Sequence, residues 1–284
     1  MKLLRLVPAV LLAASGCAAA GSAADSAGSA ASYAPGDLVV RVLTGGGFAP
    51  VSAAVTQLPE ISVYGDGRVV TIGPVPGLYP GPALPNIQVR RISAADVRRL
   101  AQRGLAAGVG RGEDMGVPTN VADAPTTHIT VRTASGAATT DVPAMGIDSA
   151  GDGMTADQRA ARERMRQYVE DLRDLPKTLG RNSVGEAVPY EPARIAAVAT
   201  PWQPSADGLP SDPPAVEWPS ASALPGDPVP DRTGVNCLAV EASPVLSAAN
   251  SANARTPWLS GGTRWAVEFR PLLPDESGCA DLGR

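Results

Sequence analysis

Few residues in this chain are able to do covalent or acid–base chemistry. Its 284 residues include three cysteines (Cys17, Cys237 and Cys279) and one histidine, His128. A Ser-His-Asp or Cys-His arrangement would have to use that histidine. It lies in the run Thr126-Thr-His-Ile-Thr-Val131, whose alternation reads as a strand. A histidine beside threonines there is expected to be an exposed or hydrogen-bonded surface residue. The sequence contains no Gly-x-Ser-x-Gly elbow, Ser-x-x-Lys, His-Glu-x-x-His or phosphate-binding loop. Asp148-Ser-Ala-Gly-Asp152-Gly153 begins like a calcium loop, with the turn glycine correctly placed after the acidic residues. Ala150 then stands where a third ligand is needed and Arg159 where the bidentate Glu belongs, so too few ligands remain. Asp66 sits in a Gly65-Asp66-Gly67 turn, and turn chemistry accounts for it. Paired carboxylates can be far apart in sequence, and the 28 acidic residues offer no preferred pair. No catalytic residue, cofactor or metal ligand is therefore assigned.

Cys17 carries a more specific signal. Lys2 and Arg5 precede the apolar run Leu6–Ala14, and the small residues Ala14, Ser15 and Gly16 lead directly into Cys17. Residues 1–16 thus have the parts of a secretory signal, and the run is shorter than the roughly 20 apolar residues a spanning helix requires. Small residues abutting a cysteine resemble the lipobox of bacterial lipoprotein signals, with Ala14 where leucine is commoner. Such signals are cleaved before the cysteine, whose thiol receives a diacylglycerol. The expectation is a protein lipidated at Cys17 and held on the extracytoplasmic face of the cell membrane by N-terminal acyl chains. Two or three chains hold firmly where one is marginal. An ordinary signal peptide with an incidental cysteine is the alternative. Residues 18–36 are almost entirely Ala, Gly and Ser, with Asp25 the only charge. That composition predicts a flexible tether with a root-mean-square reach of about 25 Å.

The signal contains two basic residues, so the mature chain has 22 basic residues against 28 acidic ones. That balance excludes a general nucleic-acid binder. Lys2 and Lys177 are the only lysines while Arg, Ala and Pro abound, which is the usage of a high-GC genome. Cys237 and Cys279 remain as an even pair in an oxidising compartment and are expected to form a disulfide.

These residues must be positioned by elements that the pattern outlines as two modules, 37–180 and 181–284. Leu38–Leu43 is a near-continuous apolar run, read as a buried strand. Ile61–Tyr64 and Arg68–Ile72 form a hairpin about Asp66-Gly67. Gly73–Pro85, with five prolines in thirteen residues, must be an irregular surface excursion. Ser93-x-x-Asp96 and Thr155-x-x-Gln158 have the form of capping boxes. The first opens a helix with Val97, Leu100, Ala101 and Leu105 on one face, stopping at Gly108. The second opens a longer one with the stripe Ala161, Met165, Tyr168, Leu172 and Leu175, ending before Pro176. Between them Thr127–Thr133 and Thr139–Ala144 are candidate paired strands.

In the second module Arg194–Val198 and Cys237–Val240 read as strands and Ser243-Pro244 as a helix start. Pro257–Leu259 and Arg264–Phe269 form a hairpin across Gly261-Gly262. Pro201–Pro230 holds nine prolines in thirty residues, as a linker or a long loop. The fold class is thus α+β: an antiparallel sheet with two packed helices, followed by a smaller β-rich part fastened by the disulfide.

The order Tyr64-Gly-Asp-Gly-Arg-Val69, a Ser-capped helix, Asp123-Ala-Pro-Thr-Thr-His-Ile-Thr-Val131, then a long helix resembles exported lipoproteins of high-GC Gram-positive bacteria. The tail, with Arg270-Pro-Leu-Leu-Pro-Asp-Glu276 and a closing Cys279, is similar to theirs. The resemblance implies the fold outline and no activity. The expected function is a non-catalytic binding or interaction module of the cell envelope with an envelope protein as partner. An envelope hydrolase with paired carboxylates and a small-ligand carrier are the alternatives. The five arginines 90, 91, 98, 99 and 103 read as a solvated helix face or as a surface for anionic headgroups. Trp202, Trp218, Trp258 and Trp265 either cover a core or form an interface.

Overall fold

The computed structural model describes residues 32–117, 121–147, 153–204 and 212–283. Strand β1 (Leu38–Gly45) leads through a short helix α1 (Val51–Thr56) to the hairpin of β2 (Ile61–Tyr64) and β3 (Arg68–Ile72). Then come β4 (Ile87–Arg91), α2 (Ala94–Ala107) and a second hairpin, β5 (Thr126–Thr133) with β6 (Gly136–Pro143). Helix α3 (Ala156–Arg173), the turn α4 (Leu175–Leu179) and the two-residue β7 (Val188–Pro189) complete this half. Its strands form one antiparallel sheet in the order β6-β5-β1-β2-β3-β4-β7.

The alternation of side chains along the strands decides which face is covered. Val40, Val42, Val63, Val69, Ile129, Val131 and Val142 pack against Val97, Leu100 and Ala101 of α2 and Met165, Tyr168 and Leu172 of α3. Both helices start where the sequence predicts. The Asp96 amide donates to Ser93 Oγ at 3.1 Å, and Thr155 and Gln158 make both bonds of a capping box. At Ser93 the return contact is different, because its hydroxyl donates to the Asp96 carboxylate, which also meets Arg99. Helix α2 ends at Gly108, which is left-handed with φ 117°.

The second half begins with β8 (Arg194–Pro201). The proline-rich segment that follows supplies β9 (Val216–Glu217) and β10 (Asp227–Pro228), and then come β11 (Asn236–Glu241) and α5 (Ala242–Ala249). The hairpin β12 (Trp258–Ser260) and β13 (Thr263–Pro271) ends the sheet, whose order is β10-β11-β8-β13-β12-β9. Pairing is antiparallel except between β12 and β9. Residues Ile195–Ala199 of β8 are buried throughout, since α5, Trp218, Trp258 and Phe269 cover one face. Val55 of α1, Leu272 and Leu282 cover the other, together with Cys237. The described residues therefore have the α+β architecture expected from the sequence. Both sheets belong to one compact unit, Ala31–Arg284. The described parts of 201–230 supply both edge strands of the second sheet, β9 and β10, and Pro228 lies on β10, where a missing N–H costs least.

Candidate interaction surface

The two sheets meet through the segment Arg270–Glu276, which leaves β13 and crosses the uncovered face of the first sheet. Leu273 packs on Tyr64, Val70 and Ile87. Asp275 accepts from Tyr64 Oη at 2.7 Å and from Arg41 Nη2 at 2.8 Å, while Arg41 Nε donates to Ser62 Oγ at 3.1 Å. Deeper in, Arg270 is 2 % exposed and pairs with Glu276 at 2.7 Å, and Glu276 also accepts from the Leu273 amide. Arg270 Nε donates to the Gln57 carbonyl, so the same guanidinium fastens the end of α1. Burial, reinforced by Asp275, raises the Tyr64 phenol far above its usual range. Burial lowers the Arg270 pKa, which Glu276 opposes. Each of these charges has a hydrogen-bonded partner, and the cluster reads as a clasp between the sheets.

Cys237 and Cys279 are bonded, with Cα atoms 5.9 Å apart, and tie the end of the chain back to β11. His128 projects from the open part of the first sheet and meets Asp141 on the neighbouring strand, Nδ1 to Oδ1 2.7 Å. Both side chains are well exposed, at 41 % and 59 %, and no third group completes a relay among the described residues. Asp66 accepts from Arg68 at 2.7 Å across its own turn. The carboxyl groups whose pKa moves, Asp114 and Glu163, move down because of hydrogen bonds from Gly116 and Arg166, the opposite of a general acid. Among the described residues no group of three or more His, Cys, Asp or Glu is placed to hold a metal. The calcium-like residues Asp148, Ala150 and Asp152 lie outside the described residues, as do the signal 1–16 and Cys17.

Of the four tryptophans, Trp218 and Trp258 are core residues. They meet edge to face at 5.9 Å and pack with Phe269. Trp202 lies under Arg264, with the guanidinium 5.4 Å from the ring centroid. Trp265 is half-buried, and its Nε1 has no partner.

The antiparallel register gives the first sheet two chemically distinct ends. At one end the chain arrives at Tyr33–Asp37, beside the Gly65–Gly67 turn and the turn between β5 and β6. The other end collects the connections β1–β2 and β3–β4 and the approach to β5. Eight large apolar side chains are exposed among the described residues; six lie in those connections, Phe48, Val51, Val75, Leu78, Tyr79 and Val117, and a seventh, Ile72, ends β3 beside them. Phe48 is 98 % exposed, and Leu78 and Tyr79 are each more than 70 % exposed. Backbone bonds from Ala83 to Ala252 and from Ala254 to Gly81 tie the excursion 73–85 to the connection between α5 and β12. Beneath it a cavity of about 310 Å³ is lined by Leu58, Val75, Pro82, Leu84 and Phe269, with Glu268 at its edge. A second groove, about 820 Å³, runs beside the disulfide between Asp227–Arg232 and Leu282. The sequence showed the proline-rich excursion but did not show that Phe48 and Val117 share its end of the sheet. Only strand register brings them together. Among the described residues no helix is long and apolar enough to cross a membrane.

The chain matches no family model, no curated protein and no solved structure.

Proposed function

We propose that the protein is an extracytoplasmic lipoprotein, anchored to the cell membrane through acyl chains on Cys17, that works as a non-catalytic interaction module of the envelope. The anchor is carried by the Ala14-Ser15-Gly16-Cys17 pattern behind a basic and apolar leader. The Cys237–Cys279 bond agrees with an oxidising compartment. The interaction role is carried by one observation: seven exposed apolar side chains gathered at one end of the first sheet. Soluble proteins seldom leave such a cluster uncovered, and apolar anchors beside a small cavity suit a protein partner. The reading keeps the chain with the exported high-GC Gram-positive lipoproteins that its motif order resembles.

Two measurements test it. Metabolic labelling with an alkyne fatty acid should mark the wild type and not Cys17→Ser; equal labelling of both, or of neither, removes the anchor. A photo-cross-linking residue at Leu78 should trap a discrete envelope protein in cells, whereas the same residue at Ala134 should not. Identical patterns from both positions would dismiss the apolar end as the partner surface.

A further inference from the structure

Building on the anchored reading, we infer that the opposite end of the first sheet, where residue 32 joins the fold, is a basic face that docks on anionic lipid headgroups. Three observations converge there. The first is continuity with the anchor. Tyr33 and Ala34 lie so close over the Gly65 turn that a Cβ on Gly65 would collide with the Ala34 carbonyl oxygen. The chain that runs on toward Cys17 therefore leaves from this end, within a tether's reach of the membrane surface.

The second is charge. Arg98 and Arg132 both act on the Tyr33 phenol from nearby, and Arg68, Arg91 and Arg99 complete the set. Three carboxylates face them: Asp37 toward Arg132, Asp66 toward Arg68 and Arg91, and Asp96 toward Arg99. Arg98 has no carboxylate partner among the described residues. The pairs are layered by depth. Side chains of Asp37, Asp66 and Asp96 are 26 %, 23 % and 8 % exposed, whereas those of Arg91, Arg99 and Arg132 are 68 %, 52 % and 46 % exposed. In these three pairs the carboxylate lies inside and the guanidinium outside, while Arg68 at 27 % is about as covered as Asp37 and Asp66, so an approaching surface meets Arg91, Arg99 and Arg132 first. Three exposed arginines, Arg91, Arg99 and Arg132, thus stand together where residues 33–37 join the sheet, in a mature chain with more acidic than basic residues.

The third is the position of the apolar cluster. The eight residues of β1 separate the two ends by about 27 Å at the usual rise per residue. Docking the basic end would hold Leu78 and Tyr79 outward from the membrane, within reach of a partner. Juxtamembrane arginines are drawn to anionic leaflets over about a Debye length, so the contact orients a protein that the acyl chains already hold.

The test uses the lipidated full-length protein, purified from membranes and reconstituted on vesicles. A fluorescent amino acid replaces either Ala134, on the basic end, or Leu78, and the acceptor dye is on lipid headgroups. On phosphatidylglycerol-containing vesicles, transfer from position 134 should exceed that from 78, and the difference should shrink on phosphatidylcholine alone. Each of Arg98→Gln, Arg99→Gln and Arg132→Gln should lower the docked-to-undocked ratio about fivefold. Equal transfer from both positions on both lipids, or a bias untouched by the triple substitution, would overturn the inference. Greater transfer from 78 would overturn it too, showing the apolar end turned to the lipid. Protein that washes off phosphatidylcholine but stays on phosphatidylglycerol through these arginines would refute the acyl anchor and leave this inference standing. Loss from both lipids would end both.

Discussion

Replacing Glu276 by Gln tests whether the clasp between the sheets is held by charge. Glu276 Oε1 accepts from Arg270 Nη2 at 2.7 Å and Oε2 from the Leu273 amide at 2.7 Å. Both oxygens face donors, so an amide must turn its NH₂ toward one of them. It also removes the negative charge beside a guanidinium that is 2 % exposed, and burial already disfavours that cation. Removing one partner of a buried ion pair costs about 3–5 kcal/mol. In a domain of this size each kcal/mol moves Tm by about 2–4 °C, so Glu276→Gln should melt roughly 6–20 °C lower. Glu163→Gln is the control. It breaks an exposed pair with Arg166, whose side chains are 58 % and 49 % exposed, and should change stability by about 0.5 kcal/mol or less. Thermal unfolding followed by circular dichroism, with the disulfide intact, makes the comparison. The double variant Arg270→Met/Glu276→Leu should recover most of the loss, because a well-packed apolar pair spares both charges their desolvation. If Glu276→Gln melts within about 2 °C of the wild type, the pair does not hold the sheets together. A double variant as unstable as the single would assign the loss to packing.

Three further outcomes are expected. Cys237→Ser/Cys279→Ser opens a loop with a sequence separation of 42 and should lower stability by about 4 kcal/mol in urea titrations; an unchanged midpoint would show that the clasp alone fixes the tail. Burial raises the pKa of Tyr64, Tyr168 and Tyr190, the last to about 12. The unfolded chain therefore releases these protons first, and the stability they contribute below pH 10 is lost as pH rises toward and past 12. Their phenolate absorbance should appear together with loss of the far-ultraviolet signal; ionisation well before unfolding would contradict their burial. Gly104→Ala gains about 1 kcal/mol of helix propensity, but its Cβ would lie 2.7 Å from Tyr168 Cζ and from Val131 Cγ2. Overpacking of about 1–3 kcal/mol outweighs that gain, so the urea midpoint should fall, and a rise would show α2 free to move off the sheet.

Local signals in the sequence were enough to find α2, α3 and α5, the hairpins and the pairing of the two cysteines, but not the short α1 and α4. Ser93, Thr155 and Gly108 act within one helical turn, and Gly65–Gly67 and Gly261–Gly262 act within one turn of chain. The apolar stripes of α2 and α3 needed only periodicity, because each helix buries one face against one sheet. Where a short segment depends on a distant partner, the sequence alone was silent. Strand β4 reads Ile-Gln-Val-Arg-Arg and became visible only as the partner of β3, while β7, β9 and β10 are two-residue edges defined by their neighbours. Helix α1 lies in a connection of the first sheet yet buries Val55 against the second, which no local pattern encodes. Trp218 and Trp258 were poised between core and surface until the second sheet closed over them. The candidate surfaces follow the same rule. Proline spacing exposed the excursion 73–85, and arginine density marked residues 90–103. That these stand at opposite ends of one sheet, with residues 33–37 joining it at the basic one, was decided by antiparallel register, a relation between residues tens of positions apart.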